Sequence, residues 1–135
     1  MRCRISRAAL EEICAEAGRA APQEACGLLF GEGEAVTGWS RAANVAETPE
    51  RHFEIDPAPL FQALREERAG GRKILGYWHS HPSGDPMPSA TDAAMASPDG
   101  KLWLIVAGRR AELWRAGETG LHGRFEAVEL VMEQA

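Results

Sequence analysis

Two of the four histidines lie two positions apart, as His79 and His81, and Pro82 follows the second one directly. In a strand, residues i and i+2 face the same side of the sheet and lie about 6.6 Å apart. Two imidazoles in that arrangement can converge on one metal ion, with Zn–N bonds of about 2.0–2.1 Å. Because a residue before proline is biased toward extended backbone angles, His81 favours a strand. The pair therefore predicts a metal site at the end of a strand.

A carboxylate that could complete this site follows in the segment Ser89-Ala-Thr-Asp92. The spacing is typical of a helix start, with Ser89 as the cap and Asp92 in the first turn. Two histidines and one aspartate leave a fourth tetrahedral position for water, which is the pattern of a catalytic zinc. Such a zinc lowers the pKa of its water toward about 7. Plain helix capping remains the alternative for the Ser-x-x-Asp pattern.

Taken together, these residues resemble the motif of the JAMM, or MPN-plus, metallopeptidases. That motif is a glutamate, a variable gap, His-(Ser/Thr)-His, seven residues and Ser-x-x-Asp, and this sequence matches every position. Glu24, followed by Ala-Cys-Gly-Leu-Leu-Phe-Gly, takes the place of the glutamate. The resemblance implies that His79, His81 and Asp92 hold one Zn²⁺ per chain. It also implies that Glu24 is the general base and then the general acid, and that Ser89 hydrogen-bonds the oxyanion.

The family resemblance also implies a reaction and a substrate. We expect a zinc-dependent hydrolase that cuts a peptide or isopeptide bond after the C-terminal Gly-Gly of a ubiquitin-like or sulfur-carrier protein, or that releases cysteine from a carrier adduct. An extended tail could add as a strand to a sheet edge, for which residues 40–51 and the stiff, proline-rich loop after His81 are candidates. The alternative is a non-catalytic MPN-type protein-binding module with a structural zinc. The sequence does not indicate the oligomeric state.

For several other residues, a functional role and a purely structural role are both possible from the sequence. Trp78 adjoins the predicted ligands and either lines the substrate groove or packs in the core. Cys26 is either a nucleophile or a buried thiol, and without a partner histidine the buried thiol is favoured. His52-Phe-Glu54 matches the His-x-Glu of zinc deaminases, but their Pro-Cys-x-x-Cys does not follow in the sequence. His122 lies in a glycine-rich turn and is expected to be solvated.

Composition and charge restrict the class of protein. The 135 residues carry 15 Lys and Arg against 20 Asp and Glu, a formal net charge of −5. An acidic chain of this kind argues against nucleic-acid binding. The longest uncharged apolar stretch, at residues 102–108, is far shorter than the ~20 residues of a membrane span. The N-terminal residues do not resemble a secretory signal. We therefore expect a cytoplasmic protein without membrane contact, and one domain over residues 1–135.

Hydrophobic periodicity and chain breakers predict the elements that position these residues. Helices are predicted after three caps, Ser6, Asp56 and Ser89. Strands are predicted at residues 2–5, 24–31, 35–39, 52–55, 73–81, 101–107 and 112–115, and residues 124–131 form a last strand or a short helix. Strands outnumber helices and several are linked as hairpins, which indicates an α+β fold. The expected architecture is a single JAMM/MPN-like domain with a mainly antiparallel or mixed sheet flanked by helices.

Overall fold

A computed structural model describes residues 1–134 of the chain. Within those residues, three helices and seven strands form in the order β-α-β-β-α-β-α-β-β-β. The strands are β1 Arg2–Ser6, β2 Cys26–Glu32, β3 Ala35–Ala42, β4 Ile74–Ser80, β5 Leu102–Ala107, β6 Arg110–Leu121 and β7 Phe125–Glu133. The helices are α1 Arg7–Ala20, α2 Pro57–Arg68 and α3 Ala90–Met95. In this part of the chain, no helix is both long enough and apolar enough to cross a membrane.

The strands form one closed, mixed sheet in the order β1-β3-β2-β4-β5-β6-β7. Neighbouring strands are antiparallel except for β1–β3, β4–β5 and the closing pair β1–β7, which are parallel. The closing pair runs from Arg2 opposite Glu129 to Ser6 opposite Glu133, whereas β1 meets β3 only at Arg4 and Ala35. The predicted α+β class with a mixed sheet and flanking helices is confirmed.

Helices α1 and α2 begin at capped positions and pack an apolar face against the sheet. Ser6 accepts a hydrogen bond from the backbone N–H of Ala9, and Asp56 accepts one from Ala58, with Pro57 at the first helical position. Helix α1 buries Ile13 in a cluster with residues of β1, β4 and β5. Helix α2 packs through a separate apolar cluster with β2 and β4. Both faces of the central strands are therefore covered.

Successive side chains of the central strands point alternately to these two faces. On β5, Leu104 belongs to the cluster beneath α1, while Trp103 and Ile105 belong to the cluster on the opposite face. On β4, Trp78 lies with the α1 cluster and His79 faces the other side, beside Trp103. The predicted histidine face is therefore the face that α1 does not cover.

Two predicted strands need correction. Residues 52–55, predicted as a strand, form only an isolated bridge between Asn44 and Ile55. Strand β6 is much longer than residues 112–115 and runs over Arg110–Leu121. For residues 124–131, the strand is the predicted alternative that is confirmed, as β7 over Phe125–Glu133. The alternation at 52–55 reflects side chains packed alternately inward and outward along a loop, which a strand pattern does not distinguish.

Candidate active site

The two histidines lie where the central strand β4 ends. His79 belongs to the strand and has no exposed surface, and His81 follows it with 7% of its surface exposed. The backbone N–H of His81 donates to the carbonyl of Val106 on β5 at 2.9 Å, so the extended conformation continues past the strand. The two Nε2 atoms lie 3.0 Å apart. The predicted convergence of these imidazoles is therefore present in the structure.

Asp92 meets both histidines from the first turn of α3. Its Oδ1 lies 3.2 Å from Nε2 of His79, and its Oδ2 lies 3.0 Å from Nε2 of His81. Ser89 caps the helix: its Oγ accepts from the N–H of Asp92, and its own N–H donates to Oδ2 of Asp92, each at 3.0 Å. This reciprocal capping box holds the Asp92 carboxylate toward the imidazoles. The Ser-x-x-Asp segment therefore caps α3 and also contributes Asp92 to the cluster with the two histidines.

The spacing of these donor atoms suits a small divalent cation. Ligand atoms about 2.05 Å from a tetrahedral centre lie about 3.3 Å from one another. The distances of 3.0–3.2 Å among His79, His81 and Asp92 are close to that value. Imidazole and carboxylate are ligand types that zinc accepts. The residues present therefore fit the metal that the family resemblance implies.

Glu24, immediately before β2, faces the same cluster. One of its carboxylate oxygens lies within 4.8 Å of one ring nitrogen of His79 and of one ring nitrogen of His81. The side chain is 6% exposed, and Oε1 is buried without a hydrogen-bond partner among the described residues. A buried acceptor without a partner is uncommon, and here it points to a group that binds at this site. A separation of this size is one that a water molecule can bridge.

The environment shifts the pKa of each group in a different direction. Burial raises the pKa of Glu24 to about 7; the charge of His81 opposes this rise and that of Asp92 adds to it. Burial also acts to raise the pKa of Asp92, but hydrogen bonds from His79 and His81 outweigh it and hold that pKa far below its usual value. Burial lowers the pKa of His79. Glu24 is therefore suited to exchange protons near neutral pH, while Asp92 stays ionised.

A backbone carbonyl fixes the orientation of the His81 ring. Nδ1 of His81 donates to the carbonyl oxygen of Asp85 at 2.7 Å. Because a carbonyl only accepts, Nδ1 carries a proton, and Nε2 is the ring nitrogen that faces Asp92. Burial acts to lower the pKa of His81, but the hydrogen bonds to Asp92 and Asp85 and the nearby carboxylates raise it. The loop between β4 and α3 therefore orients one of the two imidazoles.

The ring of His79 is held by aromatic packing instead. Phe53 stacks on it with centroids 4.3 Å apart and an interplanar angle of 22°. Trp103 packs edge-on at 5.5 Å. Within residues 1–134, Nδ1 of His79 is buried without a hydrogen-bond partner. Sequence reasoning did not identify Phe53 as part of the site, because a residue in a loop carries no local signal of the ring it will contact.

Ser80, between the two histidines, holds the backbone beside Glu24. Its side chain faces away from the imidazoles, and its Oγ accepts a hydrogen bond from the N–H of Ala25 at 2.8 Å. In return, the N–H of Ser80 donates to the carbonyl of Ala25 at 3.0 Å. The residue therefore connects the end of β4 to the start of β2.

The structure contradicts one predicted contact, that of Trp78 with the substrate. Trp78 has no exposed surface, and its Nε1 donates to the carbonyl of Ser40 at 2.9 Å. Its ring packs edge-on against Trp39, on the face of β4 opposite to His79. A side chain without exposed surface cannot touch a substrate. The alternative interpretation of Trp78 as a core residue is the one that agrees with its position.

The remaining candidate residues lie outside the cluster of ligand atoms. Cys26 is fully buried, its thiol faces the carbonyl of Ala42 at 3.6 Å, and burial raises its pKa to about 12, which disfavours a nucleophilic role. His52 contributes its carbonyl, not its ring, to a hydrogen bond with Asn44. His122 is exposed as expected, and its Nε2 donates to the carbonyl of Pro88 at 3.0 Å.

Comparisons with known proteins agree with this site and fold. The family model described as prokaryotic homologs of the JAB domain matches residues 6–117. A desampylase from Haloferax volcanii is 40% identical over 88 residues, which are 64% of this chain and 63% of that protein. A probable TtuB-protein conjugate cleaving protease from Thermus thermophilus is 36% identical over 88 residues, 65% of this chain and 59% of that protein. The chain thus spans about three fifths of the length of these curated relatives.

A solved structure extends the similarity to nearly the whole chain. The solution structure of a protein from Desulfitobacterium hafniense superposes with a TM-score of 0.82 and 28% identity, covering 98% of this chain and 94% of that one. The family model covers most of the chain, from the cap of α1 into β6. This protein therefore belongs to the prokaryotic JAB-domain family, the small prokaryotic members of the JAMM/MPN group.

Proposed function

We propose that this chain is a zinc-dependent hydrolase of the JAMM type that cleaves a peptide or isopeptide bond. One observation carries the proposal: three metal-ligand side chains converge within 3.2 Å beside a buried glutamate whose Oε1 has no partner among the described residues. A purely structural cluster gains nothing from burying an unpaired carboxyl, which destabilises the fold. A buried, unpaired carboxyl group is expected where that group takes part in a reaction, because active sites often contain such destabilising groups.

His79, His81 and Asp92 would hold the metal. When bound, a zinc ion lowers the pKa of a coordinated water toward about 7 and polarises a substrate carbonyl. The pKa of Asp92 is held low by the two imidazoles, so this ligand is an anion at neutral pH. The Asp85 carbonyl keeps the proton of His81 on Nδ1, so that Nε2 is available as a ligand.

Glu24 would move the proton. Burial raises the pKa of Glu24 in the metal-free protein, which makes its carboxylate a stronger base that can accept a proton from an attacking water and then deliver it to the leaving amine. The backbone holds it firmly on both sides: the N–H of Glu24 donates to the carbonyl of Pro49 at 2.8 Å, and Ser80 binds the next N–H. A base of this kind must be placed to within fractions of an ångström, which such anchoring provides.

Ser89 would stabilise the oxyanion. Its Oγ accepts the hydrogen bond from the Asp92 N–H through a lone pair, so its own hydroxyl proton is free to donate. A donor aimed at the developing negative charge lowers the barrier to acyl transfer. Capping and oxyanion binding are therefore compatible roles for the same hydroxyl group.

The names of the relatives support a substrate class. One is a desampylase and another is a probable TtuB-protein conjugate cleaving protease. We infer that the substrate here is a conjugate or adduct of a ubiquitin-like or sulfur-carrier protein, cut after its C-terminal Gly-Gly. The second half of β3, residues 37–42, pairs with β2 but, within residues 1–134, not with β1. An extended tail could add to that edge, close to the Glu24 loop.

The experiment compares the wild type with Glu24→Gln. The variant is expected to keep about one zinc per chain by metal analysis and to cleave a carrier–protein conjugate about 10²–10⁴-fold more slowly. Glu11→Gln, an exposed site on α1, is the matched control and should behave as wild type. Loss of zinc from Glu24→Gln would instead make Glu24 a fourth ligand and favour the structural-zinc module. Unchanged turnover would remove Glu24 from the proposed mechanism.

A further inference from the structure

The carboxamide of Asn44 forms several hydrogen bonds that hold together the loop between β3 and α2. Its Nδ2 donates to the carbonyl of Glu24 at 2.8 Å and to the carbonyl of His52 at 3.1 Å. Its Oδ1 accepts from the N–H groups of Ala46 and Glu54, each at 3.0 Å. One half-buried side chain thus uses both of its N–H groups and both lone pairs of its oxygen on backbone groups. Such a fully satisfied network rigidifies the segment it joins.

Two of the connected segments belong to the active site. The first is the backbone of Glu24, whose carbonyl Asn44 binds directly. The second is Phe53, because Asn44 binds the carbonyl of the residue before it and the N–H of the residue after it. Phe53 is 4% exposed and stacks on the ring of His79. The side chain of Asn44 itself belongs neither to the metal-ligand cluster nor to the base.

The stack on His79 matters because that ring has little else to orient it. Within residues 1–134, Nδ1 of His79 lacks the hydrogen bond that Asp85 provides to His81. Metal-binding histidines are ordinarily oriented by a hydrogen bond at the second ring nitrogen. Here the face of Phe53 and the edge of Trp103 take over that task. Whatever fixes Phe53 therefore also fixes His79.

We propose that Asn44 is a positioning residue that couples the base to the metal site, holding Glu24 through its carbonyl and His79 through Phe53. This inference rests on the proposed function for its effect on turnover. Its effect on zinc binding depends only on the metal site. The amide cannot be exchanged for a carboxylate, because Asn44→Asp would place an anion against the carbonyls of Glu24, Pro49 and His52 that Nδ2 now contacts.

The experiment measures zinc affinity by chelator competition in Asn44→Ala, Phe53→Leu and the double variant. Each single variant is expected to bind zinc about 10-fold more weakly. Because Asn44 acts on His79 through Phe53, the double variant should lose no more affinity than Phe53→Leu alone. Asn44→Asp should lose at least as much as Asn44→Ala. Additive losses, or wild-type affinity in Asn44→Ala or Asn44→Asp, would overturn the proposal.

Turnover supplies the second readout. Asn44→Ala is expected to lower kcat by about 10–100-fold, since small displacements of a base have large effects, while KM stays within about 3-fold. Asp56→Ala is the control: it removes the cap of α2 at the end of the same loop but no contact with Glu24 or Phe53. If Asp56→Ala reproduced the kcat loss, Asn44 would be a merely structural residue.

A replacement variant and a readout that does not depend on turnover cover the cases in which Asn44→Ala does not fold or the wild type is inactive. If Asn44→Ala does not fold, Asn44→Ser replaces it, because its hydroxyl can still accept from one of the two N–H groups that Oδ1 binds. If the wild type binds zinc but cleaves no carrier conjugate, the proposed function fails, whereas the double-variant comparison of zinc affinity still decides the role of Asn44.

Discussion

Two buried carboxyl groups lie beside the histidine pair, and their hydrogen-bonding surroundings differ. Asp92 is 1% exposed and Glu24 is 6% exposed, so desolvation acts on both. Both oxygens of Asp92 contact imidazoles, and Oδ2 also accepts the N–H of Ser89. Oε1 of Glu24 has no such partner in the described part of the chain. Accordingly, the pKa of Asp92 is lowered and that of Glu24 is raised to about 7.

The comparison shows that hydrogen-bond partners, rather than burial, set the opposite pKa shifts that suit the two acids to their different proposed roles. A carboxylate that accepts several hydrogen bonds stays ionised and suits a metal ligand. A desolvated one that lacks them gains and loses a proton near neutral pH and suits a general base. The two groups also differ in how they are built. Asp92 is fixed by residues close to it in sequence, whereas the backbone of Glu24 is fixed by Asn44, Pro49 and Ser80.

The largest expected effect comes from removing the charge of the fully paired acid. Asp92→Asn keeps the size of the side chain but loses the anion between the imidazoles. We expect zinc affinity to fall by more than about 100-fold, because removing a ligand costs more than removing a residue that only hydrogen-bonds to a ligand, which costs about 10–100-fold. Turnover should then be lost when zinc is limiting. Chelator competition measures this, with the exposed Asp99→Asn as control. Wild-type zinc affinity in Asp92→Asn would show that Asp92 is not a metal ligand, and the proposed contrast between a ligand (Asp92) and a base (Glu24) would fail.

Ser89 tests whether the Asp92 side of the site also takes part in the reaction. Ser89→Ala is expected to reduce kcat by about 10²–10³-fold through loss of an oxyanion donor, and to destabilise the fold by about 1 kcal/mol through loss of a cap. Asp56→Ala, which removes the cap of α2, should show a similar stability loss with normal kcat. Steady-state kinetics and urea denaturation of both variants measure this. A stability loss alone in Ser89→Ala would leave only the capping role.

The smallest expected effect concerns the stability of the metal-free protein. The pKa of Glu24 rises from 4.5 to about 7 on folding, so the stabilisation from its bound proton is complete below pH 4.5 and is lost as the pH rises through 7. Glu24→Gln stays neutral at every pH. Its stability relative to wild type should therefore improve between pH 5 and pH 8, by on the order of 1–3 kcal/mol. Urea denaturation in chelator tests this, and a pH-independent difference would contradict it.

The Asp92 side of the site could be predicted from the sequence because its geometry is local. An i, i+2 pair at a strand end and a serine three residues before an aspartate each define a geometry within one element. The resemblance to the JAMM motif added Glu24, whose distance along the chain hides its proximity to the histidines. The structure places a carboxylate oxygen of Glu24 within 4.8 Å of one ring nitrogen of each of the two histidines.

The roles of Asn44 and Phe53 could not be predicted, since they arise from contacts between segments far apart in sequence. An asparagine in a polar loop indicates a turn, which is what its bond to Ala46 makes. Nothing local shows that the same amide reaches Glu24. The closure of the sheet by β1 and β7 is likewise a long-range pairing, and periodicity reports only which face of a strand is apolar.

The pairing of β1 with β7 also has a consequence for synthesis. A ribosome makes β1 first and β7 last of the seven strands, and until β7 emerges the only described strand with which β1 can pair is β3, at Arg4 and Ala35. At about 5–20 residues per second, the delay is roughly 6 to 26 seconds. During that interval β1 and β6 each present an open edge to other nascent chains. A shortened chain that ended before β7 would keep both edges, so chaperone binding should depend on whether translation has passed the last strand.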